Sequence, residues 1–399
     1  MDRILATHTG SLIRPKELLA FLAAKDRGAG FDEQAYARCL RASVADVVNR
    51  QVEAGIDVVD DGEMGKASWI TYLYERVGGL EPRPVTIEGS MLPPSRDRQA
   101  FPGAYAELDA LDEAATRQSN DAAAADAEAE GQAVEWVCTG PLTYDRTAIE
   151  RDIANLNAAM EGHEGTQAFL PVVAPASAYW LSNEHYANDE EFVFALADAL
   201  AEEYRAIVDG GLLLQVDDAV LMHECDTIMS RGGSFADYRR WAELRVRALN
   251  HALRGIPEER VRYHVCFGSW HGPHAFDPPL TDVVDLILDV NAGAYAIEQA
   301  NPRHEHEWRI WEDVKLPDGK KLIPGVVTHH TNVVEHPELV AQRLVRLAEV
   351  VGRENVLAGT DCGFAQGAFI HRVHPEIQWA KLAALSEGAR LASDRLWGR

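Results

Sequence analysis

A histidine and a cysteine stand two positions apart inside an apolar run, Tyr263-His264-Val265-Cys266-Phe267. On a β-strand, residues i and i+2 point to the same face, so His264 and Cys266 are expected to converge on one point. An imidazole and a thiolate are half of a tetrahedral zinc donor set. Taken alone, the pair also fits a strand with a structural cysteine and a hydrogen-bonded histidine. Further donors elsewhere in the chain must decide between the two interpretations.

The elements around this run follow one repeating plan. In most copies a glycine ends the preceding segment, a short apolar strand follows, and polar or acidic residues come directly after the strand. Alternation of this kind is typical of a parallel β/α barrel, whose active site lies at the carboxyl ends of the strands. We therefore predict an α/β fold, a TIM-type (β/α)8 barrel, with residues 1–399 forming one domain. The plan is seen at residues 55–63, 210–218, 293–298, 325–330 and 356–362.

The strand count exceeds the eight that such a barrel needs. Nine candidates are found, so either the strand at 134–139 or the strand at 169–174 is expected to be an addition. Residues 80–135 are rich in Pro, Ser and Arg and then in Ala, Asp and Glu. This composition predicts an inserted hairpin and helical excursion outside the barrel, with a solvated acidic helix face.

Charge and cysteine content limit the classes of partner. Asp and Glu number 63 against 38 Lys and Arg, and the net charge of −25 disfavours nucleic acid and anionic membrane surfaces. No apolar run approaches the roughly 20 residues that span a bilayer, and the first residues lack the pattern of a secretory signal. Five widely spaced cysteines argue against a disulfide framework. We expect a cytoplasmic protein.

The polar residues after the strands form a chemically coherent set, because the strand ends of a barrel meet at one mouth. Cys362 adds a second thiol to the pair, so that His264, Cys266 and Cys362 suit a soft divalent ion, and zinc is the expected cofactor. Glu298 is a candidate for the fourth, exchangeable position. An exchangeable position can take a substrate thiol and deprotonate it, or take water as in a hydrolase. The predicted mouth residues are Ser11, Glu63, Asp217, His264, Cys266, Glu298, His330 and Cys362.

Each of these residues also has a simpler interpretation. Cys362 alone suits a buried structural cysteine, and Glu298 alone suits a salt bridge. Asp217 and Asp218 suit either a divalent cation or a helix cap. His329-His330 suits an ordinary loop, and His271, His274, His304 and His306 carry no predicted role. The spacing of His304 and His306 would fit a second metal site, but we favour a polar loop as the explanation.

Seven short motifs occur in the order found in one known family. The chain resembles the C-terminal catalytic barrel of cobalamin-independent methionine synthase, and most closely the single-barrel zinc-dependent thiol alkyltransferases such as epoxyalkane:coenzyme M transferases. The resemblance runs from Ala6 to about Gly367, with little specificity over residues 80–135. Asp218-Ala219 departs from the Glu-Pro of the family pattern. The motifs are Thr9-Gly10-Ser11, Gly62-Glu63, Gln215-Val216-Asp217, His264-Val265-Cys266, Ile297-Glu298, Gly325-Val326-Val327-Thr328-His329-His330 and Asp361-Cys362-Gly363.

The resemblance implies an activity and a role for each matched residue. It implies an S-methyl or S-alkyltransferase of methionine biosynthesis, in which zinc on His264, Cys266, Glu298 and Cys362 holds homocysteine or a related thiol as its thiolate. Glu63 and Asp217 would bind the ammonium group of the thiol substrate. Ser11 would hold its carboxylate, and His330 would donate or relay a proton, with Asp217 and His330 as the catalytic residues.

Several points stay open at the level of sequence. A zinc hydrolase on the same barrel and a non-catalytic metal- or thiol-binding accessory protein are the alternatives to a transferase. The expected partners are a small thiol and an alkyl donor, with room for a methyl-carrier protein and for an oligomer. The donor, whether a folate, a corrinoid or another compound, is not indicated by any motif.

Overall fold

The computed structural model describes residues 2–26, 29–85, 94–110, 133–178 and 181–398. Helices and strands alternate along most of the chain, as the sequence predicts. The strands are β1 (Val58–Val59), β2 (Val77–Val85), β3 (Ala133–Tyr144), β4 (Gln167–Val173), β5 (Leu181–Asn183), β6 (Leu213–Asp217), β7 (Val261–Val265), β8 (Ala294–Ile297), β9 (Lys321–Val327) and β10 (Gly359–Thr360). The helices are α1 (Lys16–Asp26), α2 (Glu33–Glu53), α3 (Arg96–Ala100), α4 (helical residues 102–110), α5 (Thr147–Ala159), α6 (Asp189–Asp209), α7 (Ala219–Ser230), α8 (Phe235–Ala252), α9 (Val284–Leu288), α10 (Ile310–Asp313), α11 (Pro337–Val351) and α12 (Pro375–Trp397).

A curled, seven-stranded parallel sheet forms the centre of the molecule. Its strand order is β1-β4-β6-β7-β8-β9-β10, and every neighbouring pair is parallel. The strands are short and almost wholly buried, because helices cover the outer face while side chains fill the inner one. The predicted opening strand appears only as isolated parallel bridges, from Ala6 to Ala358 and from Thr7 to Val58. This mixed α/β fold agrees with the predicted class.

A second sheet of three strands lies outside the central one. β2 and β3 pair antiparallel, and β5 joins β3 in parallel. The candidate strand at 134–139 therefore belongs to this added sheet, whereas 169–174 corresponds to β4 of the central sheet. Within the predicted excursion at 80–135, helical residues 102–110 lie between the antiparallel strands β2 and β3, and the rest of its predicted helix lies outside the described residues.

Helix boundaries follow the capping residues in the sequence. Asp32 accepts hydrogen bonds from the first turn of α2, and Ser234 forms a reciprocal capping box with Asp237 at α8. Pro375 occupies the first turn of α12, where its missing N–H costs nothing. No helix in the described part of the chain is long and apolar enough to cross a membrane. All five cysteines are free thiols.

Candidate metal and substrate site

The predicted site residues follow the carboxyl ends of the central strands. Asp217 is the last residue of β6, and Glu298 comes directly after β8. Cys266 lies one residue past β7, so the prediction that it is inside the strand is wrong by one position, although His264 is within β7. Cys362 and His330 follow β10 and β9 after one and two further residues. Parallel pairing brings these ends to one edge of the sheet.

Two thiols and one imidazole converge at this edge. One donor atom each from His264, Cys266 and Cys362 lies within 4.8 Å of the others. Neither ring nitrogen of His264 has a hydrogen-bond partner among the described residues, although the side chain is buried. Burial lowers the pKa of His264 to about 3, so the ring is neutral and keeps a free lone pair. Buried polar atoms without partners are costly, and a soft divalent ion satisfies all three donors.

The two thiols influence each other strongly. Hydrogen bonding to Cys362, together with burial, raises the pKa of the Cys266 thiol well above its usual value. The negative charge of Glu298 acts in the same direction. A divalent cation would reverse this effect, since metal coordination deprotonates thiols outright. The residues present therefore fit zinc.

Glu298 belongs to a second convergent group of donors and also lies close to Cys266. Its Oε2 accepts a hydrogen bond of 2.8 Å from the Phe267 N–H, and its Oε1 accepts one of 3.1 Å from the Asn301 amide. Its carboxylate lies within 4.8 Å of the donor atoms of His329 and His330, which form a second convergent group. The predicted fourth ligand is thus placed beside Cys266 by the Phe267 contact, and also beside two histidines.

Glu63 and Asp217 form a buried acidic pair. Burial, reinforced by the negative charge of Glu63, raises the pKa of Asp217 well above its ordinary value, while Lys66 opposes the shift. Gln215 donates to Asp217 Oδ1 at 2.9 Å and orients the carboxylate. Glu63 has a positive φ of 56°, an uncommon backbone conformation for a residue with a side chain. A strained residue that carries a buried carboxylate is a functional candidate.

Two buried cations approach Glu63, and the sequence predicted neither. Lys66 Nζ lies 3.8 Å from Glu63 Oε1, and Arg14 Nη2 lies 3.9 Å from Glu63 Oε2. Lys66 Nζ also donates to the Pro171 carbonyl and lies 4.3 Å from the centre of the Tyr72 ring. Lys66 is only three residues past Glu63, the last of the acids at Asp60–Glu63 that follow a predicted strand. Proximity to that acidic run is the signal that could have identified it.

Ser11 is buried, and its hydroxyl is engaged by the protein. The hydroxyl donates to the Ala365 carbonyl, and Arg14 Nη1 lies 3.4 Å from the same oxygen. Gly363 approaches so closely that an added Cβ would lie 2.8 Å from the Ser11 Cβ, which requires glycine at that position. The structure therefore brings Ser11 into contact with the segment that carries Cys362.

His330 lies at the rim, with several other histidines around it. Its Nδ1 is 3.5 Å from Thr328 Oγ1, and its ring centre is 5.7 Å from that of His274 and 6.1 Å from that of His271. Burial lowers the pKa of His330 to about 3. A neutral ring here accepts a proton rather than donating one in the resting protein.

A chain of histidines and carboxylates supports the rim, and sequence reasoning missed it. His274 Nδ1 and His304 Nε2 contact the same Asp277 oxygen at 2.9 and 3.1 Å, and His304 Nδ1 contacts Glu307 at 2.8 Å. The His304 ring stacks on Phe267, the residue after Cys266. Within the described residues, His304 and His306 are not part of a metal-type donor group, so the alternative of a second metal site there is not supported. No sequence motif surrounds Asp277, so the sequence carried no signal for this hydrogen-bonded series of histidines and carboxylates.

The structure decides between the two interpretations of Asp218, a ligand of a divalent cation or a helix cap. Its Oδ1 accepts from the Leu221 N–H at 3.3 Å at the start of α7, and its Oδ2 accepts from the Tyr263 hydroxyl at 2.7 Å. Asp218 is thus a helix cap. Of these two aspartates, only Asp217 is a member of the acidic pair with Glu63.

The charge on His304 is expected to stabilise the protein in a pH-dependent way. Burial alone would lower the pKa of His304, but hydrogen bonds to Asp277 and Glu307 outweigh burial and raise it to about 9. A raised histidine pKa contributes stability that is complete below the unfolded value of about 6.5 and is lost as pH rises through about 9. We expect His304→Gln to reduce the free energy of unfolding by on the order of 3 kcal/mol at pH 6 and by much less at pH 9.5. Urea titrations at both values measure this, with exposed His306→Gln as the control, and a deficit independent of pH would contradict it.

Comparisons with known proteins agree with this fold and identify its family. Residues 177–384 match the family described as cobalamin-independent synthase, catalytic domain. This range is more than half of the chain and contains Asp217, His264, Cys266, Glu298, His330 and Cys362. The chain belongs to this family.

Named relatives cover nearly the whole chain. A methionine synthase of Thermococcus kodakarensis is 22% identical over 390 residues, covering 97% of this chain and 93% of the relative. A methionine synthase of Saccharolobus solfataricus is 22% identical over 396 residues, covering 98% and 95%. These relatives and the family together indicate a methyltransferase enzyme, as the sequence predicts.

Solved structures show the same fold. A B12-independent methionine synthase from Shewanella sp. W3-18-1, in complex with selenomethionine, superimposes with a TM-score of 0.70 at 18% identity, covering both chains completely. A putative vitamin-B12-independent methionine synthase from Listeria monocytogenes gives 0.65 at 19% identity, again over both whole chains. The low identities limit this likeness to the fold.

Proposed function

We propose that this protein is a zinc-dependent S-methyl or S-alkyltransferase that uses a small thiol as acceptor. The observation that carries the proposal is the convergence of His264, Cys266 and Cys362 at the strand ends of this family's fold, with an imidazole that has no other partner. His264, Cys266, Cys362 and Glu298 would hold the ion. When bound, zinc supplies a Lewis acid that binds the acceptor sulfur and lowers its pKa.

The protein's own residues would bind and orient the acceptor. Glu63 and Asp217 supply two carboxylates in a buried position, and a buried carboxylate needs a cation or donors close to it. Lys66 and Arg14 approach Glu63 at 3.8 and 3.9 Å. The ammonium of an amino-acid thiol would be a third positive group beside the two carboxylates of Glu63 and Asp217. An acceptor such as homocysteine carries both the ammonium and the thiol. Ser11, beside Arg14, would lie at the carboxylate end of the acceptor.

Proton transfer at the rim would involve His330. Its Nε2 has no hydrogen-bond partner among the described residues and would be the atom that takes up the proton displaced from the acceptor thiol and returns it to the leaving group. Burial lowers the pKa of His330 and disfavours the protonated ring, so the proton would be passed on rather than held. Closely packed side chains around the strand ends exclude water, and holding the two reactants together supplies much of the acceleration.

We further propose that the central sheet closes into an eight-position barrel and that residues 1–399 form one domain. The parallel bridges from Ala6 to Ala358 and from Thr7 to Val58 support closure, since they link both edge strands of the seven-stranded sheet through one segment. Hydrogen bonds from the Thr7 N–H to the Ala358 carbonyl and from the Val58 N–H to the Ala6 carbonyl, at 2.8 and 3.2 Å, support the same closure.

Zinc content and acceptor binding test the proposal directly. The purified protein should contain zinc, and X-ray absorption should detect an additional sulfur neighbour of the ion after homocysteine is added. A hydrolase would instead keep oxygen in that position. Zinc without any change on thiol addition would contradict the transferase.

Replacing Glu63 tests which thiol is accepted. We expect Glu63→Gln to weaken use of homocysteine by about 10- to 150-fold, because a hydrogen bond to a charged group contributes about 1.5–3 kcal/mol. A thiol of similar size without an amino group, such as 3-mercaptopropionate, should be used as before. Steady-state kcat/KM with both thiols measures the difference, and exposed Glu161→Gln is the control. Equal losses for the two thiols would exclude ammonium binding by Glu63.

A further inference from the structure

A second group of metal-type donors lies beside the sulfur-containing one. One donor atom each from Glu298, His329 and His330 lies within 4.8 Å of the others. Metal–ligand bonds of about 2.0–2.2 Å place the ligands of one tetrahedral ion about 3.3–3.6 Å apart, so donors within 4.8 Å of one another would complete a site by moving together by at most about 1.5 Å. None of the three donors is a thiol, which distinguishes this group chemically from His264, Cys266 and Cys362.

The turn after β9 brings two consecutive histidines together. Successive side chains of a strand point to opposite faces, but β9 ends at Val327 and both histidines lie beyond it. The His330 N–H donates to Thr328 Oγ1 at 3.2 Å, and the Thr328 N–H donates to Glu335 at 3.0 Å. These bonds shape a tight turn in which the ring centres of His329 and His330 are 3.9 Å apart.

His329 is a fully buried imidazole without a partner. Its exposed fraction is 0%, and neither ring nitrogen has a hydrogen-bond partner in the described part of the chain. Burying such a group without compensation costs about 1–3 kcal/mol. In the motif by which this chain resembles its family, the position of His329 is unspecified. The ring therefore has neither a structural partner nor a role in the proposed transfer.

Glu298 has the capacity to serve both groups. Each of its carboxylate oxygens accepts one hydrogen bond from the protein, from Phe267 and from Asn301. A carboxylate oxygen has two lone pairs, so one remains on each oxygen. A carboxylate with a free lone pair on both oxygens can bridge two adjacent cations.

From this geometry we infer that Glu298, His329 and His330 form a second divalent-metal site next to the cysteine-containing one. Two imidazoles and one carboxylate are a donor set for first-row transition ions such as zinc or ferrous iron. The protein would then bind two metal ions per chain, and His330 would serve as the proton relay of the proposed transfer only while the second site is empty, because its unpartnered Nε2 can bind either a metal ion or a proton.

Cobalt titration of the metal-stripped protein distinguishes the two sites, because cobalt bound to thiolates has an intense near-ultraviolet charge-transfer band that cobalt on histidine and carboxylate lacks. Wild-type protein should bind two equivalents, one of which produces the band. His329→Phe, which keeps the volume of the ring, should bind one equivalent and retain the band. The double variant Cys266→Ser/Cys362→Ser should bind one equivalent without the band. Exposed His306→Gln should behave as wild type.

Thermal unfolding provides a readout that is independent of stoichiometry. Without metal, His329→Phe should be at least as stable as wild type, because it replaces an unpartnered buried imidazole by a hydrocarbon ring. With metal, its Tm should rise less than that of wild type, since ligand binding to the native state stabilises it. If His329→Phe is poorly folded, His330→Gln tests the same site.

Three outcomes would overturn the second site. They are saturation of wild type at one equivalent, unchanged binding by His329→Phe, and loss of all binding by His329→Phe, which would assign His329 to a single site. The proposed transferase has a separate readout, since it fails if the charge-transfer band is missing from wild type.

Discussion

Cys266→Ser is expected to abolish alkyl transfer, with a loss of at least about 10³-fold in kcat. Cys266 contributes one of the two thiols that converge with His264, and a serine hydroxyl is a much poorer ligand for zinc. A zinc ion bound by these residues would provide several kcal/mol of stabilisation of developing charge and of the acceptor sulfur, and each 1.36 kcal/mol corresponds to a tenfold change in rate. Zinc content by elemental analysis and transfer rates with homocysteine measure the two effects together.

The control for this prediction is another buried cysteine. Cys138 is buried in β3, and its thiol donates to the Gly140 carbonyl at 3.3 Å, so serine can keep the bond there. Cys138→Ser should therefore retain zinc and activity, whereas Cys362→Ser should behave like Cys266→Ser. Full zinc content and activity in either Cys266→Ser or Cys362→Ser would refute the proposed ligand set.

Arg76→Met is expected to cause the largest loss of stability, about 3–5 kcal/mol, because it removes one partner of a buried ion-pair network. Arg76 Nη1 lies 2.8 Å from Glu203 and Nη2 lies 2.6 Å from Asp152, and all three side chains are buried. The variant would leave the buried carboxylate of Glu203 without its cation, and Asp152 would keep only the partly exposed Arg151, whose Nη2 lies 3.1 Å from Asp152 Oδ1. Urea-induced unfolding at pH 7 measures the loss.

Two comparisons make the Arg76 result specific. Adding Glu203→Gln and Asp152→Asn to Arg76→Met should recover part of the loss, because the uncompensated charges are then removed. Arg83 forms a two-pronged pair with Glu184 at 2.6 and 2.8 Å, but both side chains are about half exposed. Arg83→Met should change stability little, since exposed pairs contribute little. Equal losses at Arg76 and Arg83 would show that burial does not determine the effect.

The Arg76 network also reaches the proposed acceptor site. The Tyr72 hydroxyl donates to Glu203 at 3.2 Å, and its ring lies 4.3 Å from Lys66 Nζ. Lys66 in turn lies 3.8 Å from Glu63. A destabilised Arg76 variant is therefore expected to lose affinity for the acceptor before it unfolds, a loss that kinetics below the unfolding midpoint would detect.

Local sequence patterns identified the central sheet and most of the site. Short apolar runs after helix-ending glycines predicted its strands, because a parallel strand covered on both faces must be apolar throughout. Polar residues directly after those runs predicted the site, since parallel strands end at one edge. His264, Cys266, Cys362, Glu298 and Asp217 were all found in this way.

Other features depend on contacts that no local pattern encodes. The strand at 134–139 resembles those of the central sheet, but it pairs with β2 across about 50 residues of intervening chain. Cys266 lies outside its predicted strand by one residue because β7 ends at Val265. Lys66, His329 and the Asp277-centred histidine chain gained their significance only from burial and from neighbours distant in sequence.

The sequence by itself therefore determined the fold class, the family and the donor types at the strand ends, since these follow from periodicity and from residue identity. Only the tertiary structure decided how the donors are grouped. It grouped Glu298 with two histidines, put Lys66 and Arg14 beside Glu63, and left His329 buried without a hydrogen-bond partner among the described residues. The physical reason is that hydrogen bonding, burial and charge act through space, whereas a motif records only positions along the chain.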